Sequence, residues 1–541
     1  MAKHSISRFL ISSLISLCFS YIIIGFLNPV LDSTLAIIIS TLIVMTIANV
    51  LVYLSLRDMK WRSNPLNIIL ALSLPVFFVA TIYICLQFPE ILVWEYISIP
   101  SQYFLTFILT AILSSFISYF LVQRINIEIK NGLGIYLGGM FFFIHLILAR
   151  TLNHPALSYN VVLFEADAGP WMEILASPES APINRAVHPL SLIIIRPLMR
   201  LASFWMGEHY PLGAMLVVSA TAGLCVFMAY LFIKRATDSN SYAFLFAMLL
   251  GFSASHLLFG SLTENYIFGA ASLIFFFLLI QAKENRFSVL VPAGLILFGI
   301  TITNIAQGVI GLFFNKFNFR RLIQFCVYVL VFGILLTLFT NFLYPKSITY
   351  FFSPKDIAFE FGFVKVVGEE PESSLAEKLQ VTARTMALYG VVAPKPIEAI
   401  SEKPPFPTID LKTFDIRTHA LASYKGLANI PLVLWLLLLI GSILTFFKNI
   451  LTSKHLPLML GLLGALGFNF MMHLFYGTEL FLYTPYWMYA LIFFIALSLS
   501  EFAEKTWFQI VLGLIVFTIA INNFNFIFSI LKAIAPFYSA L

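Results

Sequence analysis

Residues 34–55 read TLAIIISTLIVMTIANVLVYLS, a run of 22 positions without a charge. At 1.5 Å of rise per residue, a helix of this length crosses a hydrocarbon core about 30 Å thick. Lipid offers the backbone no partners, so only helices and closed barrels span it, and this run is too long and unbroken for a barrel strand. Comparable runs recur from end to end. Of the 541 residues, 60% are hydrophobic and 11% charged, against roughly 25% charged in soluble domains. Mean hydropathy is +0.94. The runs predict spans at 9–27, 34–55, 66–87, 102–122, 133–150, 211–233, 242–259, 267–281, 288–303, 305–315, 322–343, 428–447, 456–474, 484–500 and 507–530. The expected fold is an all-α polytopic membrane protein of about 15 transmembrane helices, the tenth too short to cross unaided.

Charge sets the orientation. With the N-terminus in the cytoplasm, one side receives Arg57, Lys60, Arg62, Arg124, Lys130, Lys234, Arg235, Lys283, Arg286, Lys316, Arg320, Arg321, Lys448, Lys454 and Lys505. The opposite short loops, 28–33, 88–101, 261–266 and 476–484, carry no Lys or Arg. This positive-inside asymmetry predicts a multi-pass plasma (inner) membrane protein with hydrophilic loops 151–210 and 344–427 facing outward. It also accounts for the net charge of +6. No basic patch is interleaved with exposed aromatics, so no nucleic-acid partner is expected. Cys18, Cys85, Cys225 and Cys326 fall inside apolar runs and read as small core residues.

The first outward loop contains Phe164-Glu165-Ala166-Asp167-Ala168-Gly169-Pro170-Trp171 and Arg185-Ala186-Val187-His188-Pro189-Leu190. A carboxylate there suits a general base towards a hydroxyl, and Arg185, His188 and Arg196 suit the binding of a phosphate. Asp167 has two readings, a base or the cap of a helix starting near Pro170. Glu165 and Glu173 compete for the acidic role, and Trp171 offers a ring for a sugar. Glu264, in Ser261-Leu262-Thr263-Glu264-Asn265-Tyr266, is functional or paired with Arg185 or Arg196. His473, Tyr476 and Glu479 form a third outward group. These acids and histidines leave a divalent cation possible, but no spacing specifies a metal. Asn304 and Gln307 read most simply as caps of a broken helix.

Residues 188–207 carry Arg196 and Arg200 on one helical face and predict an interfacial juxtamembrane helix rather than a span. The second outward loop combines a charged turn at 368–372 with Pro394, Pro396, Pro404, Pro405 and Pro407. It predicts a small subdomain of short helices on the membrane face.

From about residue 132 to 541 the chain resembles the GT-C superfamily of membrane glycosyltransferases, in the branch of protein O-mannosyltransferases and aminoarabinose transferases. The resemblance is carried by Asp167 in the first outward loop, His188-Pro189-Leu190 before a juxtamembrane helix, the Ser261–Tyr266 turn, a short hairpin and a large late loop. It implies a polyprenyl-phosphate-linked sugar donor, a lipid, glycan or protein acceptor, inversion at the sugar, and Asp167 as base. The usual family form has Asp followed by Glu and a second Pro after His-Pro. This chain has Asp167-Ala168 and Pro189-Leu190.

Residues 1–131 resemble the GtrA-like four-helix proteins through Ser7-Arg8-Phe9-Leu10-Ile11, Ile47-Ala48-Asn49-Val50-Leu51 and the basic ending at Arg124. That resemblance implies flipping of the same donor lipid. A flippase without transferase chemistry predicts charges near the bilayer midplane and repeated halves. A polysaccharide polymerase or ligase predicts basic outer loops. Neither pattern is present, and no P-loop motif points to ATP.

Overall fold

A computed structural model describes residues 2–57, 65–89, 93–125, 129–153, 161–364, 374–401 and 408–534. Lys60, Arg62, the charged turn at 368–372 and Pro404, Pro405 and Pro407 lie outside the described residues. The chain begins with α1 (Ala2–Phe26), α2 (Thr34–Ser55), α3 (Pro65–Gln87), α4 (Ser101–Arg124) and α5 (Gly132–Leu152). Strand β1 (Val161–Leu163), α6 (Ala168–Leu175), α7 (Ser191–Ile194) and α8 (Arg196–Ser203) form the first large loop. Then come α9 (Tyr210–Thr237), α10 (Asn240–Gly251), α11 (Ala254–Phe259), α12 (Tyr266–Gln281), α13 (Phe287–Ile300), α14 (Asn304–Phe314) and α15 (Phe319–Leu343). The second large loop holds α16 (Pro354–Phe361), α17 (Leu375–Arg384), β2 (Ile397–Ser401), β3 (Thr408–Lys412), β4 (Phe414–Asp415) and β5 (Ala420–Leu421). Helices α18 (Asn429–Asn449), α19 (Leu456–His473), α20 (Pro485–Ser498) and α21 (Thr506–Ile534) complete it.

Among the described residues, nine helices are long and apolar enough to cross a membrane, and six further apolar helices are shorter. The protein is a multi-pass, all-α membrane protein. Each apolar run coincides with a helix, except that 242–259 is divided between α10 and α11. The break is local chemistry: Ser253 accepts the His256 N–H at 3.3 Å and caps α11. Ser33 caps α2 in the same way through the Ala36 N–H, at 3.2 Å.

Small residues set the central crossing. A Cβ added to Gly223 of α9 would lie 2.4 Å from the Gly138 carbonyl oxygen of α5, so the two backbones touch. In lipid, where apolar burial gives no drive to associate, such close packing is what holds helices together. The first four helices pack on one another, with the Phe9 ring 6.1 Å from Tyr53 and 5.2 Å from Tyr119. They meet the remainder through Phe19 and Phe143, 3.9 Å apart, and Phe88 and Phe528, 5.0 Å apart. Cys18, Cys85 and Cys225 are buried and Cys326 half-buried, all free thiols.

The two large hydrophilic loops depart from the all-helical expectation. β1 pairs in parallel with β3 (Val161 opposite Ile409, Leu163 opposite Leu411), and β3 pairs antiparallel with β2. One small sheet therefore joins the two hydrophilic loops across about 250 residues of sequence, which no local pattern announces. The segment 188–207 is two short helices rather than one, interrupted at Ile195-Arg196-Pro197. Its exposed face carries Leu201 at 70% and Phe204 at 69%. The arginines turn the other way, into protein, with Arg196 buried and Arg200 half-buried.

Candidate functional site

The first loop leaves β1 through two consecutive residues in the left-handed region, Phe164 at φ 55° and Glu165 at φ 58°. Each costs about 1–3 kcal/mol in a residue with a side chain, and surrounding contacts must hold it. They do: the Phe164 N–H donates to Leu411 O at 2.9 Å, and its buried ring lies 4.8 Å from Phe481. Glu165 accepts the Thr478 hydroxyl. This turn delivers Asp167 to the start of α6.

Asp167 occupies the cap position of α6, yet its side chain makes no capping bond. Its carboxylate is exposed. Surrounding protein, then the nearby Glu165 charge, raise its carboxyl above the ordinary aspartate range. Its backbone N–H instead donates to Glu264, which is 1% exposed. Burial, then the Asp167 charge, push Glu264 well above the usual carboxylate range. Burial thus opposes ionisation of Glu264 more than that of Asp167, and its second oxygen has no protein partner among the described residues. Neither Arg185 nor Arg196 pairs with it.

Aromatic rings line the same region. Tyr266 lies 5.8 Å from Tyr483 and 5.2 Å from Tyr486, and Tyr483 lies 5.9 Å from Tyr476. Tyr483 feels the charges of Glu165, Glu360 and Asp167. The Tyr476 hydroxyl donates to Glu360 of α16 at 2.8 Å. Together Glu165, Asp167, Glu264 and Glu360, with these tyrosines, form an acidic, aromatic cluster between the loops. Tyr483, Tyr486 and Glu360 carried no signal in the sequence, since their spacing matches no motif.

His188 sits beside this cluster, its ring 5.4 Å from Trp171. Its Nδ1 donates to Ile300 O at 2.6 Å, so Nε2 is the acceptor, 3.3 Å from Asn265 Nδ2. Burial lowers its pKa to about 4. It is therefore neutral at pH 7 and has no N–H left for a phosphate. Trp171 is buried, so its ring supports His188 rather than standing open.

The two arginines are likewise engaged. Arg185, fully buried, donates to Ser347 O (3.2 and 3.0 Å), Pro189 O (2.5 Å) and the Asn341 side chain. Arg196 donates to Ile174 O (2.8 Å), Ser177 O (2.9 Å) and Pro178 O (3.0 Å). Arg200 reaches Ala176 O at 2.9 Å. Arg196 and Arg200 thus hold the C-terminal carbonyls of α6, where a cation complements the helix dipole. Geometry gives Arg185 and Arg196 the task of fixing the loop.

In the third group, His473 is buried, with Nδ1 3.1 Å from Tyr476 O. Glu479 is also buried, and accepts the Thr413 N–H (2.7 Å), the Thr413 hydroxyl (2.5 Å) and the Phe481 N–H (3.1 Å). Burial raises Glu479 to about 7. It latches the 476–484 turn to Thr413, just after β3 in the second large loop, with its carboxylate engaged by that loop. In the short hairpin, Gln307 accepts the Tyr489 hydroxyl at 2.9 Å, whereas the buried Asn304 amide has no protein partner. Among the described residues, no group of three or more His, Cys, Asp or Glu is placed to hold a metal ion.

Compared with protein-family models, curated proteins and solved structures, the chain has no match in any of the three.

Proposed function

We propose that the protein is a membrane glycosyltransferase that moves a sugar from a polyprenyl-phosphate donor to an acceptor hydroxyl at the outer face of the plasma membrane. The apolar helical runs cross the bilayer, the tenth only part of the way, with the N-terminus cytoplasmic, and the four N-terminal helices supply or steady the donor lipid. Asp167 takes the acceptor proton as that oxygen attacks the sugar carbon from the side opposite the phosphate. The glycosidic bond forms, the carbon–phosphate-oxygen bond breaks, and configuration inverts. The observation that carries this reading is the Asp167 carboxylate, which caps no helix, is exposed beside the tyrosines, and has its main chain held by Glu264.

The test is replacement of Asp167 by Asn in the full-length protein. Consumption of polyprenyl-phosphate sugars by reconstituted protein, with envelope lipids as acceptors, should fall by at least about 10²-fold, as for loss of a general base. Donor consumption by the Asn variant at the wild-type rate would refute the assignment.

A further inference from the structure

Four arginines flank or lie in the first large loop, and three are engaged with carbonyls. Arg150, in the last turn of α5, is the exception. Among the described residues its guanidinium makes no hydrogen bond or ion pair, and its buried Nε has no partner. It rests 4.7 Å above the Tyr96 ring. The terminal guanidinium nitrogens are not among the buried atoms, so an acceptor from outside the chain could engage them.

Arg150 lines a cleft of about 480 Å³ between the end of α5, α6 and the start of α9. Gly169 and Pro170, in the first turn of α6, line the same cleft, so the positive end of that helix faces it. Met172, Leu212 and Met215 supply apolar wall. Asn153, also in the lining, has its amide groups engaged by Ala149 O, Ser261 O and the Thr263 N–H. Glu173, Glu208 and His209 stand at the exposed rim. A cation and a helix N-terminus above an apolar wall, at the end of a spanning helix, match an anionic headgroup attached to a hydrocarbon tail.

We infer that this cleft binds the phosphate of a membrane lipid, with Arg150 and the first turn of α6 as its anion-binding groups. Identifying that lipid as the prenyl donor rests on the transferase reading, whereas the anion chemistry does not. Gly169 stands two residues from Asp167, so a donor held here would lead directly to the base.

The experiment uses the full-length protein in phosphatidylcholine nanodiscs, with binding followed by native mass spectrometry. The probes are a polyprenyl monophosphate, the uncharged polyprenol and inorganic phosphate. Wild-type protein should bind the polyprenyl phosphate at least about tenfold more tightly than the polyprenol, and Arg150→Gln should abolish that preference. Glu208→Gln, at the exposed rim, removes a repelling charge without touching the fold and should tighten binding by about two- to threefold. Binding by Arg150→Gln within twofold of wild type, or no tightening in Glu208→Gln, overturns the proposal. So does displacement by inorganic phosphate at equal concentration, which would assign the cleft to a free anion. If Arg150-dependent binding persists in a protein that transfers no sugar, the transferase reading falls alone. If transfer proceeds while binding ignores Arg150, only this site falls.

Discussion

Glu264 and Asp167 are 97 positions apart, and the Glu264 carboxyl accepts the Asp167 backbone N–H. The contact fixes the main chain of the proposed base and leaves its carboxylate unengaged. Burial and the Asp167 charge both push the Glu264 carboxyl towards its neutral form, which limits repulsion between the two acids.

Glu264→Gln should therefore be mild, because the amide oxygen still accepts the Asp167 N–H. Glu264→Ala removes the acceptor and leaves a cavity, which should cost about 1–3 kcal/mol of stability and lower transfer at least about tenfold. Thermal unfolding and donor consumption of the two variants decide the matter; equal damage from both would mean that the ionised carboxylate is needed.

Glu479 gives a pH dependence with a definite sign. Its folded-state pKa is raised from 4.5 to about 7, so the folded protein holds a proton that the unfolded chain releases. Stability should fall as pH rises between these values, by up to about 1.4 kcal/mol per pH unit from this group. Other raised acids tilt the curve the same way, so the informative quantity is the difference between wild type and Glu479→Gln. The variant should show a flatter profile in thermal unfolding; parallel curves would remove Glu479 as a source.

Arg196→Ala should act on stability and not on donor affinity. Three carbonyls lose their shared donor, a loss on the order of 3 kcal/mol. Limited proteolysis should then cut within 164–203 faster than in wild type, while the donor KM of the folded fraction stays unchanged. A KM raised about tenfold with normal protease resistance would return Arg196 to a phosphate-binding role.

At the central crossing, Gly223→Val drives side-chain atoms into the Gly138 backbone. Overpacking of this kind costs about 1–3 kcal/mol or more, and backbone cannot easily give way. Gly467→Ala, where an added Cβ meets nothing within 4 Å, is the matched control and should be neutral or slightly stabilising. Monodisperse yield after detergent extraction separates the two, and equal yields would argue that α5 and α9 are not held by this contact.

Much of the fold was legible in residues such as 34–55, because a helix in lipid must satisfy its own backbone and so declares itself in one continuous apolar run. Asp167 stood out as an acid in a polar loop, but the choice between cap and base could not be made from its neighbours. Arg185, His188 and Arg196 read as phosphate ligands on charge and position alone, and their hydrogen bonds give them other work. Arg150 went unremarked, hidden at the end of an apolar run where it read as a span boundary.

The sequence by itself determined the helices and their lengths, since hydropathy and hydrogen bonding within a helix act over a few residues. Only the tertiary structure decided which polar residues meet. The β1–β3 pairing, the Glu165–Thr478 contact and the hold of Glu264 on Asp167 each join segments about 100 to 300 residues apart, and which polar groups are satisfied depends on partners that far along the chain.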